Sequence, residues 1–195
     1  MKKPILLLDV DGVFNVIGKK MVPRKIYIPV QIRGETFQKQ FFPVPLTRPV
    51  LVWAWRHFEV YWLTAWREMA NGIAIWAGLP EIPVLVDPVA RLRKLYEEAS
   101  KKKGKEAQAE AYCRIDWKAE VVKERFRSER RKILWLEDGI SQSAKQWIAG
   151  RSRVRYFGTD SFVGVTRRHV RQMAAYAGVD DSLSSLRHVV VEGRR

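Results

Sequence analysis

The sequence predicts an α/β fold, a mainly parallel five-stranded sheet with helices on both faces, and three observations carry that prediction. Short apolar runs alternate with longer segments of helical spacing along most of the chain. Three of the runs stop at polar residues: Asp9 with Asp11, Thr64, and Glu137 with Asp138. Glycine and proline punctuate the joints, as at Gly12, Gly78-Leu79-Pro80 and Gly139.

A chain of 195 residues, 47% of them apolar, is long enough for one substantial core and too short for two full domains. It reads as one domain over residues 1–178 followed by a tail over 179–195, where Val189-Val190-Val191 is a possible added strand. The N-terminal apolar run is too short for a membrane span and is broken by Asp9, so no membrane partner is expected. The single Cys113 offers no disulfide framework, and a cytoplasmic, reducing setting follows as the expectation.

Ile5 to Leu8 is the first strand, and it runs straight into Asp9-Val10-Asp11-Gly12. Alternation along an extended backbone puts both carboxylates on one side with Val10 pointing away, so they can face one phosphate or one metal ion. Residues 25–32 and 36–44 form a hairpin around Arg33-Gly34-Glu35, a flap over about 20–46 that projects beside the acidic pair. Pro29, Pro43 and Pro45 make it an edge structure.

Thr47-Arg48-Pro49 starts a helix with Thr47 as its N-cap, running to about Phe58. Trp53 and Trp55 cannot both face inward on it, which leaves one for the surface. The second strand covers 59–63 and ends at Thr64; a helix over 66–77 stops at Gly78-Leu79-Pro80, and a third strand covers 82–86. Residues 89–115 are a short basic insertion of helical propensity. Asp116 caps a helix containing Lys118, Val121, Val122 and Phe126. A fourth strand at 133–136, a helix at 141–149, a fifth strand at 154–157 and a helix at 166–177 complete the pattern. In a parallel sheet the polar strand ends share one edge, which is where such sheets bind ligands.

There are 36 basic residues against 21 acidic, a net charge of +15, and the excess is patchy. One group spans Arg91 to Lys105, a second Lys123 to Lys132, and a third joins Arg151, Arg153 and Arg155 to Arg167, Arg168 and Arg171. Such a balance favours a polyanionic partner, and nucleic acid is the one expected. His57, His169 and His188 show no ligand spacing, which argues against zinc.

In order along the chain, Asp9-Val10-Asp11-Gly12, Thr64, Lys118 and Glu137-Asp138 resemble the motifs of the haloacid-dehalogenase-like superfamily of phosphatases and phosphotransferases. The likeness covers Ile5 to about Ala177, and it implies that superfamily's three-layer fold of the small-cap type. By that resemblance Asp9 is the nucleophile that forms an aspartyl-phosphate, and Asp11 protonates the leaving oxygen and then activates water. Mg²⁺ is the implied cofactor, held by the Asp9 carboxylate, the Asp11 carbonyl and Asp138, with Glu137 as a second acidic candidate. Thr64 and Lys118 are implied to contact the transferring phosphoryl oxygens. The doublet reads Glu137-Asp138 where two aspartates are commoner, so both acids stay open as metal ligands. Lys123 competes with Lys118, which is preferred because a helix's first turn points toward the site.

Arg67 and Trp66, beside Thr64, are candidates for substrate contact, Trp66 by stacking on a base. Neither insertion is large enough to form a full lid, and an open cationic cleft suits a phosphate at the end of a polymer. The reading is a Mg²⁺-dependent phosphomonoesterase acting on nucleic-acid termini, as in end repair. The alternatives are a small-molecule or nucleotide phosphatase and a non-catalytic nucleic-acid-binding protein.

Overall fold

The computed structural model describes residues 2–16, 25–32, 34–85 and 117–183. Four strands form the main sheet: β1 (Ile5–Leu8), β4 (Glu59–Trp62), β5 (Ile133–Glu137) and β6 (Val154–Gly158). Their order is β4-β1-β5-β6, and every neighbouring pair is parallel. A separate antiparallel pair, β2 (Ile26–Ile32) and β3 (Glu35–Phe41), is the expected hairpin, with Ile28 opposite Lys39 and Val30 opposite Phe37.

Among the described residues the helices are α1 (Thr47–His57), α2 (Asn71–Trp76), α3 (Trp117–Arg125), α4 (Gln142–Ala149) and α5 (Arg167–Ala177). They cover both faces of the sheet, and the period of two in β1 shows how. Leu6 and Leu8 join Leu134, Leu136 and Trp62 in one apolar cluster with Leu51 and Trp53 of α1, Ile73 of α2 and Met173 of α5. Ile5 and Leu7 face the other way, joining Ile133 and Trp135 in a second cluster with Val121 and Val122 of α3 and Ala144 of α4. All four β1 side chains are fully buried, which explains why this strand reads as an unbroken apolar run.

Three expectations change. The strand expected over 82–86 is a single parallel bridge from Val84 to Trp62, framed by Trp62 N–H donating to Pro83 and Leu85 N–H donating to Trp62. Pro83 lacks the N–H a longer ladder needs. The helix over 66–77 begins as a 3-10 turn, Arg67–Ala70, before α2. Thr47 lies inside α1 and does not cap it: Leu46 is the cap residue, while the buried Thr47 hydroxyl donates to the Val44 carbonyl at 2.8 Å. Ser141, by contrast, caps α4, its Oγ accepting from Ala144 N–H at 3.0 Å. Of the two helix tryptophans, Trp53 is buried and Trp55 is the exposed one. The 89–115 insertion, the Asp116 cap and the strand at 189–191 lie outside the described residues. Among the described residues no helix is long and apolar enough to cross a membrane.

Candidate active site

Parallel pairing brings the ends of β4, β1 and β5 to one edge, and the hydrogen bonds continue past the strands. Leu63 N–H donates to Leu8 at 2.8 Å, and Asp9 N–H donates to Leu136 at 3.1 Å. Asp9 therefore emerges between the end of β4, which carries Thr64, and the end of β5, which carries Glu137 and Asp138.

The chain turns sharply after Asp9 because the Val10 carbonyl accepts N–H bonds from Val13, Phe14 and Asn15, while Gly12 N–H donates to Asn15 at 2.7 Å. Gly12 has φ +70°, and a Cβ there would lie 2.2 Å from Asp138 Oδ2. Only glycine lets the Asp138 carboxylate press against this loop. The β6 end secures it from the other side: the buried Thr159 hydroxyl donates to the Gly12 carbonyl at 2.8 Å, and Ser161 donates to Asp138 Oδ2 at 2.8 Å.

Lys118, in the first turn of α3, places its Nζ 2.9 Å from Asp9 Oδ2 and also donates to Glu137 Oε1. The other oxygen of Glu137 accepts from the Trp135 indole at 2.8 Å. Thr64 is buried at the end of β4, where its Oγ1 accepts from the Trp66 N–H at 3.2 Å. Lys123, the rival lysine, pairs instead with Glu120 at 2.8 Å on the flank of α3.

Burial dominates the electrostatics. It raises Asp9 above the ordinary carboxylate range, although Lys118 and Thr64 pull the other way. It pushes Glu137 up to about 8, the nearby Asp9 charge adding to the effect. Burial works against the Lys118 ammonium, yet the Asp9 and Glu137 carboxylates outweigh it and hold Lys118 above its usual value.

Asp9, Glu137 and Asp138 each offer one carboxylate oxygen, all within 4.8 Å of one another. An all-oxygen set fits a hard divalent cation. Within it Glu137 already accepts on both oxygens from Lys118 and Trp135, which favours Asp9 and Asp138 as the metal-facing pair.

Asp11, expected to face the same ion as Asp9, is not part of this cluster: it is half-buried, its Oδ1 accepting from Asn15 at 2.7 Å and its Oδ2 from the Trp66 indole at 2.8 Å. The expectation for Trp66 as a stacking surface is corrected. It is 6% exposed, with Phe41 edge-on at 6.2 Å and Lys39 Nζ 4.4 Å from its ring centre. Arg67 is exposed, with φ +50°, and lines a groove with Pro29, Gln31 and Glu68 beneath the hairpin.

Asn15, Trp135, Thr159 and Ser161 went unnoticed in the sequence. Asn15 works through a turn, and Thr159 and Ser161 through partners distant in the chain, so no local pattern marks them; Trp135 stands two residues before Glu137 on β5, a spacing that puts both on one face of the strand.

The chain matches no protein-family model and no curated protein.

Proposed function

We propose that the protein is a Mg²⁺-dependent phosphomonoesterase on a haloacid-dehalogenase-like scaffold, acting through an aspartyl-phosphate on terminal phosphates of nucleic acid. The observation that carries this reading is the meeting of Asp9 with Lys118 and Asp138 at the sheet edge, where oxygen donors and a cation face one point. A binding protein has no use for a buried carboxylate cluster, which costs desolvation.

In the proposed reaction an Asp9 oxygen attacks phosphorus while the bond to the leaving oxygen breaks, and that oxygen takes a proton from Asp11. A water oxygen then attacks the aspartyl-phosphate, giving its proton to Asp11 as the bond between phosphorus and Asp9 breaks. Inorganic phosphate and free Asp9 result. Lys118 and Thr64 orient and neutralise the transferring group. Asp9 and Asp138 would hold Mg²⁺, which would supply charge compensation between carboxylate and phosphate. Glu137 fixes Lys118.

The net charge of +15 supports a polyanionic substrate. The test is phosphate release, with and without Mg²⁺, from a phosphorylated oligonucleotide and from a nucleoside monophosphate. Faster turnover of the oligonucleotide at low salt is expected. Preference for the monophosphate moves the substrate to a small molecule, and salt-sensitive binding without turnover of either makes the protein a non-catalytic binder.

A further inference from the structure

The Asp11 carboxyl is held at both oxygens, and both holders lead to the same element. Asn15 Nδ2 donates to Oδ1 at 2.7 Å, while Asn15 Oδ1 accepts from the Phe42 N–H at 2.9 Å, just beyond β3. The backbone repeats this connection: Asn15 bridges Pro43, and Val16 N–H donates to Phe42 at 3.3 Å. On the other side the Trp66 indole donates to Oδ2 at 2.8 Å. Its ring lies under Lys39 and against Phe41, both on β3.

A half-buried aspartate with two free torsions ordinarily samples several rotamers. Here the two N–H donors fix the carboxyl plane from opposite sides. Neither donor belongs to the Asp9, Lys118 and Asp138 cluster, so neither is needed to build that cluster.

We infer that Asn15 and Trp66 are positioning residues that aim the Asp11 carboxyl at the leaving oxygen and make its orientation depend on the seating of the hairpin. This rests on the phosphatase reading above, in which Asp11 gives its proton to that oxygen as the phosphorus–oxygen bond breaks. The consequence is selective. An alkyl leaving group, such as a sugar hydroxyl, needs the proton, whereas nitrophenolate departs without it.

The test uses Trp66→Phe, which keeps an aromatic ring and removes the N–H, with Asn15→Ala as a second variant should the first fold poorly. Under Mg²⁺ the expected result is a kcat loss of roughly 10- to 100-fold on an alkyl phosphate and less than about twofold on p-nitrophenyl phosphate, with KM unchanged. A second readout needs no turnover. Among the indole signals of the eight tryptophans in a ¹⁵N–¹H spectrum, the one that Trp66→Phe removes shifts upfield in Asp11→Ala. Equal loss on both esters, or an indole signal indifferent to Asp11→Ala, overturns this inference and leaves the phosphatase reading standing. No turnover of either ester by the unsubstituted chain overturns that reading, and the positioning role with it.

Discussion

Lys118 Nζ lies 2.9 Å from Asp9 Oδ2, joining a helix in the second half of the chain to the end of its first strand. The same ammonium bonds Glu137, so one cation serves two buried acids.

Removing that cation is costly. Lys118→Met leaves the Asp9 carboxylate, whose side chain is 8% exposed, beside Glu137 without its counter-charge. The expected destabilisation at neutral pH is about 3–5 kcal/mol, read as a lower urea midpoint. The loss shrinks as pH falls, because Asp9, raised by burial, takes up a proton.

The unsubstituted protein has a related pH dependence. Folding lifts Glu137 from 4.5 to about 8, so the native state binds a proton that the unfolded chain releases. The resulting stability is fully present below about pH 4.5 and is lost as pH rises through about 8. Metal-free protein is therefore expected to show a falling Tm between about pH 5 and about pH 9. Mg²⁺, which binds deprotonated ligands, raises Tm more at the upper end of that window than at the lower. Calorimetric scans with and without Mg²⁺ check both statements.

Gly12→Ala tests the packing of the loop on Asp138. Its Cβ would fall 2.2 Å from Asp138 Oδ2 at a φ of +70°. The expected cost is about 1–3 kcal/mol in stability, with weaker Mg²⁺ binding by calorimetric titration because Asp138 must move.

Much of this was legible in the chain. The unbroken run from Ile5 to Leu8 announced a strand buried on both faces, and the polar residues ending three strands announced a shared edge. Position in the first helical turn separated Lys118 from Lys123, and the structure keeps them apart. The Thr47 cap does not form, because its hydroxyl turns into the core toward Val44, and the cap at Ser141 is found only in the structure. Trp66 was misread because stacking propensity says nothing of burial, and its indole faces Asp11 rather than solvent. Thr159 and Ser161 were invisible because tertiary convergence alone defines what they touch, and Asn15 because the turn after Asp9 brings it back to Asp11.

Asp9→Asn removes the attacking oxygen's charge while keeping its shape. The expected outcome is loss of phosphate release by at least about a thousandfold with an unchanged circular dichroism spectrum. Affinity for an oligonucleotide is expected to persist and to fall steeply with salt.

The most direct measurement is acid-quenched mass spectrometry of the protein during turnover of a phosphorylated oligonucleotide with Mg²⁺. The account predicts one phosphoryl group on the peptide carrying Asp9, and none in Asp9→Asn. Turnover with no adduct, or with an adduct on another residue, contradicts it, as does the absence of turnover.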